Sequence, residues 1–215
     1  MVAAVTDAFA TAAIYRGIAD KDDTSEDAEI LLDLTAVSRY LTRKLGQFFT
    51  VDASVVARIY AGNGTNKLYL TDHEHVPGIS TLTGLVVKVD LNADYDVSDS
   101  GEALTIDTHF WATPLDADKG AEARPWTTLE LVPGNAITSI WPKQPHAVEV
   151  TAKFGWAAVP DAIVRATCHL TALLRLETPR SVVNRTDIGD ILGASSEARG
   201  IVMSLMEQYR GVPTF

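Results

Sequence analysis

Two short acidic runs in this sequence carry residue types that bind metal ions. The first joins four possible ligands, Asp72, His73, Glu74 and His75, and alternate His residues on a strand would point the same way. Pro77 follows at once, and no Cys or His pattern elsewhere in the chain completes a zinc-type site. A solvated loop is therefore the favoured interpretation, with a metal-dependent enzyme built on His73 and His75 as an alternative.

The second run places side-chain oxygens at alternate positions, as the opening of an EF-hand calcium loop does. Its members are Asp90, Asn92, Asp94 and Asp96. Tyr95 stands where that loop needs glycine, and Gly101 occupies position twelve, which needs glutamate. Strands are predicted on both sides where an EF-hand has helices. A polar hairpin connection is the favoured interpretation.

Motifs for catalysis are otherwise weak. The sequence has no Gly-x-Ser-x-Gly run, and its glycine cluster GNGTNK lies between predicted strands, so it opens no phosphate-binding helix. Asp116 and Asp118 lie in a Gly- and Ala-rich segment, which indicates solvated surface more than acid-base chemistry. Cys168, the single cysteine, falls in a predicted helix, where a free thiol is usually buried. We predict no enzyme, no metal and no cofactor.

The elements that position these residues begin with two helices. Residues 6–18 are Ala-rich with one apolar face, which predicts a short helix ended by Gly17. Thr24 and Asp27 have the spacing of a capping box and predict the start of a second helix. Its apolar residues recur at helical intervals as far as Gly46.

The chain changes character near Val51, where β-branched and aromatic residues alternate with polar ones. Five strands are predicted, in the segments SVVARIYA, KLYLT, LVVKVDL, TTLEL and AVEVTAKF. The pair Asn63-Gly64 lies between the first two and suits a turn with positive φ. The sequence therefore predicts a hairpin across residues 61–66.

Helical periodicity returns after Gly155. Pro160 and Asp161 form a favourable first turn, and a last helix is predicted from Ser196 to Tyr209. The predicted fold class is therefore α+β, a helical bundle of N- and C-terminal segments with an antiparallel β-rich insertion in the middle. The predicted division is 1–50 for the N-terminal helices, 51–157 for the β-rich insertion and 158–215 for the C-terminal helices and tail.

The composition excludes some partners. The chain has 215 residues and a formal net charge of -10, whereas binding DNA through its phosphates needs clustered Lys and Arg. Asp7 and Arg16 interrupt the apolar N-terminus, and no run approaches the length of a membrane span. We expect no membrane association, and synthesis in a cytoplasm.

Four tryptophans recur at even intervals, but the segments between them share no pattern that would make a repeat. They are Trp111, Trp126, Trp141 and Trp156. Exposed aromatic rings stack on sugars, so a carbohydrate-binding module is an alternative from another functional class.

The segment VEVTAKFGWAAVPDAIVRATCHLTALLRLETPR, residues 148–180, resembles the strand-to-helix junction of the head-to-tail connector (adaptor) proteins of long-tailed bacteriophages. Gly155, Trp156, Pro160 and Ala166 match that junction residue by residue. The long helix within 27–49, the GNGTNKLYLTDHEHVPGI segment and the closing MEQYRG extend the resemblance over most of the chain, in the order of the family.

The resemblance implies a virion neck protein assembled in the host cytoplasm. Its copies would form a homo-oligomeric ring, a dodecamer, beneath the portal protein, with genome DNA passing through the channel without specific binding. The resemblance assigns portal docking to Met206, Tyr209, Arg210, Val212 and Phe215. The acidic stretch 92–125 would meet the next neck or tail-completion protein, or neighbouring subunits. Another neck or tail-completion subunit is the alternative within the same class.

Overall fold

The computed structural model describes residues 7–72, 77–99, 101–119, 123–135, 137–177, 192 and 195–209. The chain divides into two compact units. The described residues up to Gln47 and from Val159 onward form a helical unit, and Phe48–Ala158 form a β unit. Both sheets of the β unit are antiparallel. The predicted α+β class, with helices at both ends and strands in the middle, is confirmed.

The helical unit contains four helices in its described residues. These are α1 (Ala12–Ala19), α2 (Asp27–Leu45), α3 (Asp161–Glu177) and α4 (Ser196–Tyr209). Helices α1 and α4 each pack against both α2 and α3. One core cluster joins Tyr15 of α1 to Ile30 and Leu34 of α2 and to Cys168 of α3. No helix in the described part of the chain is long and apolar enough to cross a membrane.

The first helix begins and ends differently from the prediction. Thr11 caps its N-terminus, because the Ile14 N–H donates to Thr11 Oγ1 at 3.2 Å. Gly17 lies inside the helix, and Asp20 takes the left-handed conformation that ends it, with φ of 51°. The predicted end at Gly17 was therefore wrong, since a short polar residue also tolerates this conformation.

The second helix confirms the predicted end but not the predicted start. Gly46 is its left-handed C-cap, with φ of 70° and its N–H donating to the Thr42 carbonyl at 2.9 Å. The capping box was wrong, because Glu26 is the N-cap residue and its side chain makes no capping bond. Asp23 instead accepts from the backbone N–H of Ser25 at 2.8 Å.

The β unit contains seven strands in its described residues. These are β1 (Val56–Tyr60), β2 (Lys67–Tyr69), β3 (Ile79–Val89), β4 (Ala103–Leu104), β5 (Phe110–Thr113), β6 (Thr128–Leu131) and β7 (Val148–Phe154). The four-stranded sheet has the order β1-β7-β3-β4, and the three-stranded sheet has the order β2-β6-β5. All five predicted strands are present, while β4 and β5 were not predicted.

The predicted hairpin between the first two strands was wrong. Strand β1 pairs with β7, and β2 pairs with β6 in the other sheet, so the Asn63-Gly64 turn carries the chain between sheets. Gly64 does have positive φ, 77°, and its N–H donates to the Trp141 carbonyl at 3.0 Å. A β-carbon at Gly62 would lie 2.4 Å from the Pro142 carbonyl oxygen. Contact with a distant segment therefore determines the path of this turn.

The core of the β unit consists of buried residues from both sheets, together with Trp141 from the loop between β6 and β7. Strand β7 alternates strictly, with Val148, Val150, Ala152 and Phe154 buried. The Trp141 side chain is fully buried, and its Nε1 donates to the Asn66 carbonyl at 3.0 Å. The buried Trp141 ring stabilises the core, and the hydrogen bond from its Nε1 to Asn66 stabilises the 61–66 turn.

Candidate functional site

The strand-to-helix junction is built around Gly155. This residue has φ of 117°, and a β-carbon there would lie 2.0 Å from the Thr50 carbonyl oxygen. Its N–H donates to the Gly78 carbonyl at 2.9 Å. Trp156 is 9% exposed, and its ring contacts that of Phe49 with centroids 5.5 Å apart. The Gly-Trp pair thus fixes the end of β7 against the segment that precedes β1.

The other two junction residues belong to the start of α3. The Pro160 carbonyl accepts the N–H groups of Ile163 at 2.9 Å and Val164 at 3.0 Å, which closes the first turn. Ala166 is 6% exposed on the buried face of the helix. Each of the four residues that matched the junction is therefore buried or makes a contact within the described residues.

The end of α4 carries two of the residues assigned to docking. Met206 is half-buried, whereas Tyr209 is only 7% exposed. The Tyr209 carbonyl accepts a hydrogen bond from Gln47 Nε2, and its hydroxyl accepts from Gln208 Nε2 at 3.2 Å. The side chain of Tyr209 thus belongs to the core of the helical unit. Arg210, Val212 and Phe215 lie outside the described residues.

The first acidic run falls largely outside the described chain. The backbone of Asp72 ends a short 3-10 turn, Leu70–Asp72, whereas His73, Glu74 and His75 lie outside the described residues. Within the described ranges, no group of three His, Cys, Asp or Glu residues is arranged to hold a metal ion.

The second acidic run closes the connection between β3 and β4, so the predicted polar hairpin is confirmed. The Asp90 carboxylate is fully buried and accepts the backbone N–H groups of Ala93 at 2.7 Å and Tyr95 at 2.9 Å. Burial raises the pKa of this carboxyl, but the N–H donors outweigh burial and hold the pKa below its ordinary value. Ala93 and Tyr95 both adopt positive φ, which turns their N–H groups toward the carboxylate.

A second buried carboxylate, Glu102, holds the far side of the same loop. It accepts the N–H groups of Leu91 at 3.2 Å and Asp99 at 3.1 Å. Asp94 in turn accepts the N–H of Asp96 at 2.9 Å. These oxygens satisfy the backbone of the loop itself, which explains the alternating acidic pattern without an ion. Glu102 could not be recognised from the sequence, because only the β3-β4 pairing brings it beside the run.

The paired carboxylates of the loop after β5 are exposed, as predicted for solvated surface. Asp116 pairs with Arg124 at 2.8 Å, and this hydrogen bond lowers the pKa of the Asp116 carboxyl. Asp118 and Arg124 line an open depression of about 320 Å³ with Trp126. The described lining holds Ser and Thr hydroxyls but no His or Cys.

The cysteine and the tryptophans are mostly core residues. Cys168 is 1% exposed, and burial raises the pKa of its thiol to about 11, so it stays protonated at neutral pH. Trp126, Trp141 and Trp156 are buried, and Trp111 is 36% exposed. A sugar-stacking platform needs exposed rings, so only one of the four tryptophans is available for one.

An ion-pair cluster between α2 and α3 was not visible in the sequence. Arg175 Nη1 lies 2.8 Å from Asp33 Oδ2, and Arg175 Nη2 lies 2.5 Å from Glu26 Oε2. The three side chains are 16–26% exposed. From the sequence, Arg175 is recognised only as a basic residue in the last turn of a predicted helix. Its partners could not be identified, because they lie about 140 positions earlier in the chain.

Comparison with known proteins identifies the fold. No protein-family model and no curated protein sequence matches the chain. Among solved structures, it is similar to a chain in the neck of an empty GTA particle computed with C6 symmetry, with 21% identity and a TM-score of 0.50. That match covers 100% of this chain and 95% of the other. A chain in the neck of the native GTA particle, computed with C12 symmetry, is 17% identical, with a TM-score of 0.48 and the same coverage.

Proposed function

We propose that the chain is a structural subunit of the neck of a phage-type particle. In this proposal it is a head-to-tail adaptor that forms a ring under the portal, and genome DNA passes through the ring. The observation that carries the proposal is the fold likeness to a neck chain, which extends over all of this chain and 95% of the other. Because the match covers all of this chain, it includes the residues of both the helical unit and the β unit.

The charge of the chain agrees with a channel protein. A net charge of -10 on each subunit repels DNA phosphates, so a ring of such subunits would let DNA slide without holding it. Identical subunits form a ring when each uses two different patches, one for each neighbour, and the rotation between neighbours closes. A dodecamer, which the sequence resemblance implies, also contains the six-fold symmetry used for the neighbouring structure.

Docking to the portal is assigned to the end of α4 and the residues that follow it. Tyr209 is held in the helical unit by burial and by the bond from Gln47 to its carbonyl, so it fixes the point at which residues 210–215 begin. Half-buried Met206 offers part of its side chain to a partner. In this account Arg210, Val212 and Phe215 make the direct portal contacts, and Tyr209 positions them.

A complementation experiment tests the function in the particle. Particles are produced without this chain, with the full chain, and with a chain that lacks residues 210–215. We expect DNA-filled heads without tails in the first and third cases, and complete particles in the second. Circular dichroism of the shortened chain checks that it folds. Complete tailed particles formed without the chain would contradict the proposal.

A further inference from the structure

Helix α1 presents an apolar face that the described residues of the chain leave partly exposed. Ile14 and Ile18 lie one turn apart and are 43% and 44% exposed. Gly17 lies between them, and a β-carbon there would meet nothing within 4 Å. Glycine inside a helix costs about 0.5–1 kcal/mol relative to alanine. Packing within the described chain does not require this glycine, but close approach of a second helix would.

Helix α4 presents a second face of the same kind. Met203 is 59% exposed, and Gly200 lies one turn earlier on the same side. A β-carbon at Gly200 would also meet nothing within 4 Å. Two separate helices thus each combine an exposed large apolar side chain with an interior glycine that the described packing leaves open.

The charges beside these two faces are opposite. The exposed segment 20–23 between α1 and α2 carries three Asp and one Lys, so it is acidic, whereas Arg43 and Lys44 are exposed in the last turn of α2. Neither Asp20 nor Asp22, and neither Arg43 nor Lys44, forms an ion pair with a residue in the described ranges. Helix α2 has 19 residues and is about 28 Å long, several times the screening length of about 8 Å at physiological salt. The two ends therefore cannot neutralise each other within one chain.

Each apolar face lies toward one end of α2. Arg16 of α1 pairs with Asp27, the first residue of α2, at 2.9 Å, so α1 lies at the acidic end. Gln47, just after α2, donates to the Tyr209 carbonyl, and Met203 is about 9 Å before Tyr209 along α4. The charges on α4 itself are mixed, so the positive charge near this face comes from α2.

We propose that these two surfaces are the two halves of the contact between neighbouring copies in the ring. The α1 patch consists of Ile14, Gly17 and Ile18 with Asp20 and Asp22, and the α4 patch consists of Gly200 and Met203 with Arg43 and Lys44. The α1 patch of one copy binds the α4 patch of the next, with acidic residues facing basic ones. This inference rests on the proposed function, which supplies the ring. The use of two different patches makes the contact head-to-tail, as ring closure requires.

Charge reversal tests the electrostatic half. The full chain carrying Arg43→Glu and Lys44→Glu is mixed with the portal protein, and the concentration needed for ring formation is measured by electron microscopy and sedimentation. We expect it to rise at least about tenfold, the effect of losing about 1.4 kcal/mol per contact. Adding Asp22→Lys to the same chain restores part of the assembly, and Asp20 is left unchanged because it takes the left-handed conformation that ends α1. Lys119→Glu with Lys143→Glu, two exposed lysines of the β unit, changes the net charge equally and should leave assembly unchanged.

Cross-linking tests the apolar half. Ile18→Cys and Met203→Cys in one chain would join neighbours on oxidation, giving a ladder of covalent species above the dimer. Either substitution alone should give no species above the dimer, because Cys168 is buried. If the wild-type chain forms rings, but the double-cysteine variant gives no ladder and charge reversal does not change assembly, this interface is overturned. The proposed function would then still stand. A wild-type chain that forms no ring with the portal would overturn both.

Discussion

Gly155 and Thr50 approach so closely that no side chain fits between them. An added β-carbon at Gly155 would lie 2.0 Å from the Thr50 carbonyl oxygen, and the φ of 117° already disfavours any other residue. This contact joins the end of β7 to the segment before β1. The contact explains physically why glycine is required in the Gly-Trp pair, which the sequence identified only through a resemblance.

Gly155→Ala should therefore destabilise the β unit by at least about 2 kcal/mol, from backbone strain and displacement of Thr50 together. Urea unfolding measures the loss. Gly134→Ala is the matched control, because Gly134 has φ of 77° but nothing within 4 Å of an added β-carbon. It should cost only about 1–2 kcal/mol, from the conformation alone. Equal losses for the two variants would show that the Thr50 contact has no energetic weight.

Arg175→Met should destabilise the helical unit by about 1–3 kcal/mol, because Asp33 loses its partner in a partly buried site and Glu26 loses one of its interactions. Thermal or urea unfolding followed by helical circular dichroism measures this. Asp116→Asn removes an ion pair whose side chains are 66% and 53% exposed. It should change stability by less than about 1 kcal/mol. A similar small effect for Arg175→Met would contradict the importance of the cluster.

The buried Asp90 should make the stability of the β unit depend on pH at the acid end. Its folded-state pKa lies below its unfolded value, so its stabilising contribution is present above the ordinary aspartate pKa of 3.8 and is lost as pH falls through the lower folded value. Asp90→Asn should lower stability at pH 7 and flatten the acid limb of the profile. Unfolding measured between pH 2 and pH 7 tests this, and an unchanged acid limb would refute the assignment.

Cys168 should resist labelling in the folded protein. Its thiol is 1% exposed and its pKa is raised to about 11, so both access and thiolate formation are suppressed. A thiol reagent at pH 8 should label it only as fast as the helical unit opens, and rapidly in denaturant. Native labelling at the rate of a free thiol would show that α3 is not packed as described.

Local patterns predicted most of the elements of this fold but not their pairing. The apolar period of α2 and the alternation of β7 extend over enough residues to be read directly, and Gly46 marked the end of α2 correctly. The Asn63-Gly64 pair led to the wrong prediction of a hairpin, because this turn contacts the distant Trp141 loop and does not join two paired strands. Strand β4 has two residues, too few to show a period, and β5 begins with three successive apolar residues, so it shows no alternation.

The candidate interfaces were still less accessible to sequence analysis. The resemblance assigned Tyr209 to docking, and only packing shows that its side chain lies inside the helical unit. Gly17 looked like the end of a helix, whereas the structure places it on an exposed helical face between Ile14 and Ile18. Whether a glycine serves a turn or an interface depends on which neighbours it meets, and local sequence does not contain that information.

Electron microscopy of the purified chain mixed with the portal protein encoded beside it tests whether the chain is a portal adaptor. We expect an added ring at the outer end of the portal, with twelve copies of the chain. Portal particles that stay bare, while circular dichroism shows the chain to be folded, would contradict the adaptor assignment.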